Sequence, residues 1–120
     1  MDFEDLQHKV LEWADSHELL YEKNADKQFL KFIEEVFEFK TEFDTGREQF
    51  IVYTIDRRIK FTPDTFKKMQ LEMGDIFVTL IILCKQLGID PQRCLELAYD
   101  KIKDRQGKTI DGTFVKEEDL

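Results

Sequence analysis

Histidine and cysteine are scarce in this chain: two of each in 120 residues. His8 and His17 both fall in the first helical pattern, and neither follows a glutamate by three positions. That leaves no Glu-x-x-His pair of the kind that holds two irons in a carboxylate bundle. Cys84 and Cys94 sit inside apolar helical patterns, and the N-terminal residues do not read as a secretory leader. The expectation is two reduced core thiols in a cytoplasmic protein. A basic surplus is missing too. The net charge is −8, which disfavours a general nucleic-acid surface or an anionic membrane surface. The longest apolar run, Ile76–Cys84, is broken by Thr79 and is too short to cross a bilayer. No internal repeat and no low-complexity linker is present, so the chain reads as one domain, residues 1–120.

What remains is a helical pattern rich in large side chains, with eleven phenylalanines. Four helices are expected. The first covers about Asp2–Leu20, with Phe3, Leu6, Val10, Trp13 and His17 on one face. The second covers about Asp26–Phe43 and is stopped by Gly46, with Phe29, Ile33 and Val36 as its apolar face. The third begins at Thr62 as N-cap with Pro63 next, and ends at Gly88. The fourth begins with Asp90 and Pro91 and ends near Arg105–Gly107. Arg47–Lys60 reads as either extended or a short helix. Lys108–Lys116 carries an Asp-Gly turn between β-formers, the pattern of a small hairpin. The fold class is therefore all-α, a four-helix bundle with antiparallel neighbours.

Helix three carries Glu72 and Asp75 at the start of its greasiest stretch. A carboxylate removed from water without a partner is costly. On a helical wheel Glu72, Asp75, Thr79 and Gln86 share one narrow stripe, with Lys68 a turn upstream. Helix two carries Glu34, Glu35 and Glu38 opposite its expected apolar face. Each stripe, taken alone, also reads as a face turned to water. Taken together, two acid pairs at the same three-residue spacing on antiparallel helices bring Glu35, Glu38, Glu72 and Asp75 to one place. Four converging anions need a cation. Oxygen ligands without His or Cys suit Mg²⁺ or Mn²⁺, and Mg²⁺ held by carboxylates keeps positions open for phosphates.

These residues resemble a known family. "EEVFE" (Glu34–Glu38) followed by "EMGD" (Glu72–Asp75) is similar to the EExxE…ExxD signature of the MazG-type nucleoside triphosphate pyrophosphohydrolases. The run "DIFVTLIILCKQLGIDPQRCLELAYDKIKDRQGK" resembles the same family, although Asp104 stands where many members have Asn. The resemblance implies a MazG-type helical fold assembled as a homodimer or dimer of dimers. It implies Mg²⁺-dependent cleavage of a nucleoside triphosphate, often a deoxy one, to the monophosphate and pyrophosphate. The implied metal ligands are Glu35, Glu38, Glu72 and Asp75, with Glu34, Glu35 or Glu38 orienting or deprotonating the attacking water.

The released polyphosphate also needs cations. Lys101, Arg105 and Lys108 line one face if helix four extends that far; otherwise basic residues there complement the helix dipole. Gln28 is a candidate for the sugar or base. Trp13 reads either as a base-stacking ring or, more simply, as core. The competing function is a non-catalytic helical module that senses nucleotides or binds a protein.

Overall fold

A computed structural model of the chain describes residues 1–49, 52–53 and 59–120. It contains four α-helices: α1 (Phe3–Ser16), α2 (Ala25–Gln49), α3 (Pro63–Gln86) and α4 (Pro91–Ile102). Two short antiparallel strand pairs accompany them. They are β1 (Val52–Tyr53) with β2 (Ile59–Lys60), and β3 (Gly107–Ile110) with β4 (Thr113–Lys116). The protein is thus mostly helical, as expected, with more strand than a pure bundle. Of the ambiguous stretch Arg47–Lys60, the described part continues α2 and forms β1 and β2; residues 50, 51 and 54–58 lie outside the described residues. The chain divides into two compact units, Met1–Gly88 and Ile89–Leu120.

Local chemistry sets most of the helix boundaries. Asp2 caps α1 by accepting from the Asp5 amide, while the Asp5 carboxylate accepts from the Asp2 amide. The helix stops at Ser16, earlier than its apolar pattern suggests, because Glu18 turns left-handed (φ 59°) and Leu19 N–H closes back on the Ala14 carbonyl. Thr62 caps α3 through the Thr65 amide, and Asp90 caps α4 through the Gln92 amide, each followed by proline. Gly88 (φ 70°) follows the end of α3.

Two helices differ in length from expectation. α2 passes through Gly46 to Gln49. Gly46 is buried, and a Cβ placed there would meet Thr65 Cγ2 at 2.5 Å and Phe61 Cδ1 at 3.0 Å. The glycine therefore serves the close approach of α3, not a helix stop. α4 ends at Ile102, short of Arg105. Gly107 already pairs with Lys116 across the hairpin, and Glu117 N–H bonds the Gln106 carbonyl, so the backbone has left the helix by then. The hairpin itself forms as expected: Asp111 (φ 51°) and Gly112 (φ 79°) make its two-residue turn.

Within Met1–Gly88, α2 runs along α3, and α1 packs on α3. Gly46 meets the start of α3, while Gln28 Nε2 donates to the Thr79 carbonyl at 3.0 Å. These two ties fix the helices as antiparallel. Gln86 Nε2 donates to the Leu19 carbonyl at 2.7 Å and pins the end of α3 to the turn after α1.

The faces turned inward are not those expected. Phe29, Ile33 and Val36 of α2 are exposed, as are Phe3, Leu6 and Trp13 of α1. The buried set holds Ala14, Ile81, Ile82 and Leu83, with Glu35, Thr79 and Gln86 beside them. Trp13 is about half exposed and stacks on the His17 ring at 4.5 Å between centroids, so it is not core. Cys84 is half-buried and Cys94 exposed, which corrects the expectation of two core thiols; neither forms a disulfide. Among the described residues no helix is long and apolar enough to cross a membrane.

Candidate functional site: an acidic seam between two helices

Most of the polar stripe of α3 is turned inward. Thr79 and Gln86 are buried, Glu72 is half-buried and Asp75 is exposed. A water-facing stripe is therefore excluded for Glu72, Thr79 and Gln86. On α2 the three glutamates separate: Glu35 is buried, while Glu34 and Glu38 are exposed. The ties at Gly46–Thr65 and Gln28–Thr79 place Glu38 about level with Glu72, and Glu35 about level with Asp75. The two acid pairs thus lie at matching levels of α2 and α3, with Glu35 and Glu72 turned inward and Glu38 and Asp75 exposed.

Glu35 is held from one side only. Lys31 Nζ lies 3.2 Å from Glu35 Oε1 and 3.8 Å from Glu34 Oε2. The hydrogen bond and charge of Glu35 raise the Lys31 ammonium above its ordinary pKa. Glu35 Oε2 is buried with no hydrogen-bond partner, and so is Glu72 Oε2. Buried polar atoms almost always find a partner, so two orphaned carboxylate oxygens on facing helices need a reason.

Glu72 shows the strain of the place in its titration. Burial pushes its carboxyl above the usual carboxylate range, and the charges of Glu42, Glu38, Glu35 and Asp75 push the same way, in that order. Sequence reasoning missed Glu42. It lies seven residues after Glu35 and four after Glu38, on the same face of α2. Its charge acts on Glu72 more strongly than any tetrad member's. The spacing is visible in the sequence, within the expected span of helix two, but Glu42 lies outside the two three-residue acid pairs.

The seam is suited to a hard cation by its donors: oxygen-only, anionic, partly dry, and with two unpartnered oxygens. As the side chains stand, no group of three or more His, Cys, Asp or Glu among the described residues is gathered closely enough to hold a metal. Like charges without a counter-ion stand apart, and Lys31 occupies one oxygen of Glu35 instead.

The remaining candidates fall elsewhere. Gln28 spends its amide N–H on the Thr79 carbonyl and so ties α2 to α3. Lys101 lies on α4, Arg105 after it and Lys108 on β3, so the three do not line a helical face. Arg105 is half-buried in a shallow depression with Asp104, Gln106, Lys116, Glu117 and Glu118. Comparison with known proteins finds no matching family model, no matching curated protein and no matching solved structure.

Proposed function

We propose that the chain is a Mg²⁺-dependent nucleoside triphosphate pyrophosphohydrolase of the MazG-like kind, a hydrolase acting on a nucleotide's phosphoric anhydride. The observation that carries the reading is the pair of buried, unpartnered oxygens, Glu35 Oε2 and Glu72 Oε2, on facing helices within an acidic seam. Glu35, Glu38, Glu72 and Asp75 would hold the cation. A Mg²⁺ or Mn²⁺ ion held there would supply neutralisation of phosphate charge and activation of water. Glu34, exposed beside Glu35, would orient water, and Lys31, now paired with Glu34 and Glu35, would offer a cation to a phosphate oxygen. Within the unit Ile89–Leu120, Arg105 and Lys108 are kept as candidate phosphate contacts on the strength of their charge, and within Met1–Gly88 Gln28 is kept as the candidate for the sugar or base. A pyrophosphate-release screen over canonical and damaged dNTPs and NTPs, with Mg²⁺ and Mn²⁺, tests the reading; no metal-dependent release from any of them overturns it.

The same reading includes a cytoplasmic homo-oligomer. Phe29, Leu30, Ile33 and Phe37 of α2, with Phe77 and Leu80 of α3, are exposed, while polar Thr79 and Gln86 are buried. Exposed large apolar side chains in this number support an interface, and closed dimers are the commonest arrangement. Sedimentation giving the 14.4 kDa monomer mass at micromolar concentration would rule this out.

The second reading is a non-catalytic helical module. The Lys31–Glu35 pair favours it, because it gives the buried carboxylate a counter-ion without any metal. Metal-dependent turnover separates the two.

A further inference from the structure

We propose that the outer stripe of α2 is the docking surface for a second copy of this chain, whose own α2 lies antiparallel across it with Ile33 on the two-fold axis. The proposal rests on the homo-oligomer reading above and gives it a face, a direction and a register.

The stripe follows from the helix period. At about 100° per residue, Phe29, Leu30, Ile33, Val36 and Phe37 fall within one third of the circumference of α2. They are 41–67% exposed, whereas Gln28, Phe32, Glu35 and Phe39 lie on the less exposed side. A helix with its more apolar side outward needs something to cover that side. The described residues of Met1–Gly88 leave it open to water.

The order of residues along the stripe identifies the occupant. It reads alike from either end about Ile33. Phe29 and Leu30 precede Ile33 by four and three positions, and Val36 and Phe37 follow it by three and four. Asp26 stands seven positions before Ile33 and Lys40 seven after it, both exposed on the same side of the helix. A closed two-fold contact calls for such a pattern, because residue i meets j wherever j meets i. An antiparallel α2 centred on Ile33 sets Phe29 against the partner's Phe37, Leu30 against the partner's Val36, and Asp26 against the partner's Lys40. The charges fix the direction. A parallel pair would set Asp26 beside the partner's Asp26 and Lys40 beside the partner's Lys40. Sliding the antiparallel pair by one turn would press Asp26 or Lys40 onto an apolar side chain. Lys40 Nζ stands 3.0 Å from Asp44 of its own helix, an exposed contact. An ammonium has three hydrogens to donate, so it can serve a second carboxylate as well.

The test is sedimentation of the full-length chain, joined to disulfide cross-linking in a background with Cys84→Ser and Cys94→Ser. Wild type should sediment as more than the 14.4 kDa monomer. Ile33→Asp should weaken association about a hundredfold or more, since it places an unpaired charge at the centre of the contact. Asp26→Lys and Lys40→Asp should each weaken it about tenfold. An equimolar mixture of those two should recover wild-type association, because each altered charge then meets its opposite. On mild oxidation Ile33→Cys should cross-link two copies, since position 33 meets itself on the axis. Phe37→Cys should not, because its two copies stand about 12 Å apart along the helices, beyond the reach of a disulfide. The cross-linking pair decides the matter even where Ile33→Asp does not fold. A wild-type monomer at micromolar concentration overturns the homo-oligomer reading and this proposal together, and leaves the stripe to a different partner. An oligomer that persists in Ile33→Asp, without a cross-link at position 33, overturns the α2 face alone. Equal cross-linking at positions 33 and 37 overturns the antiparallel register, since a parallel pair brings every position to itself.

Discussion

Lys31 Nζ stands 3.2 Å from Glu35 Oε1, one helical turn away on α2, and it is the ion pair made by the most deeply buried acid of the seam. The pair is lopsided. Lys31 is more than half exposed, while the Glu35 side chain is almost wholly buried. The lysine therefore adds little by itself, but its loss leaves a buried carboxylate without any counter-ion. Solvent around the lysine limits the effect to about 1 kcal/mol.

Lys31→Met should accordingly lower the stability of the metal-free protein by up to about 1 kcal/mol in a urea titration at neutral pH. The same change in a Glu35→Gln background should do almost nothing, because the buried charge is gone. A full-sized effect in both backgrounds would mean that Lys31 acts through packing of its stem. If the seam takes up a divalent cation, Lys31→Met should also bind Mn²⁺ more tightly, since a competing positive charge has been removed.

Glu72 supplies a pH dependence. Its folded-state carboxyl titrates above the ordinary value, first through burial and then through Glu42 and the other acids. A raised carboxyl pKa means that the folded state holds the proton more firmly than the unfolded state. The penalty from ionised Glu72 is then full above the raised value. It is relieved as pH falls from that value toward the ordinary carboxylate value, and it is absent below both. Glu72→Gln should thus melt higher than wild type at neutral pH without metal, and the gap should close as the pH falls through that window. Thermal melts of chelator-treated protein across the range check the sign. A gap that is constant with pH, or reversed, removes the electrostatic account.

Much of this arrangement is legible in sequence, and the division between what is and what is not has a physical basis. Thr62–Pro63, Asp90–Pro91 and Asp111–Gly112 announce two helix starts and a turn, because capping and left-handed backbone are satisfied within a few residues. The acid spacing Glu35–Glu38 and Glu72–Asp75 is likewise a local pattern. What the pattern cannot supply is which face turns inward. Phe29, Ile33 and Val36 form the more apolar stripe of α2, yet Gln28, Phe32, Glu35 and Phe39 lie on the less exposed side. That choice depends on what covers the outer face and on the charge balance of the inner one, and neither is a property of one helix. The charge of Glu42 on Glu72 was hidden for a related reason: it depends on how α2 lies along α3. Lys101, Arg105 and Lys108 were misplaced because the hairpin's first pair, Gly107–Lys116, takes the backbone out of α4 earlier than its composition suggests.

Arg105 now has a more specific setting than the end of a helix. It is half-buried between Asp104 and Gln106 on one side and Lys116, Glu117 and Glu118 on the other. The three carboxylates outnumber the two cations, so the depression alone is a poor anion site. If Arg105 serves a triphosphate, Arg105→Ala should raise KM clearly and shift the unliganded melting point by no more than about 1 kcal/mol of stability. Nucleotide with Mg²⁺ should then stabilise wild type more than the variant in a melting assay. An unchanged KM with a melting point several degrees lower would make Arg105 a structural residue of the hairpin unit.

The packing of α2 on α3 can be checked with two glycines that have opposite surroundings. In open helix, replacing glycine with alanine raises stability by up to about 1 kcal/mol, because alanine loses less backbone entropy. Gly74 lies inside α3, and a Cβ there meets nothing within 4 Å. Gly74→Ala should therefore stabilise. Gly46 lies inside α2, where a Cβ would press on Thr65 Cγ2 and Phe61 Cδ1 at the start of α3. Overpacking of that kind costs about 1–3 kcal/mol, more than the propensity gain, so Gly46→Ala should destabilise. Thr65→Ser removes the nearest of those atoms while keeping the hydroxyl that meets the Thr62 cap, and it should recover part of the loss. Urea titrations of the three variants decide the matter. Gly46→Ala stabilising as Gly74→Ala does would mean that α3 does not approach α2 at that point, and the level assigned to Glu38 and Glu72 would fall with it.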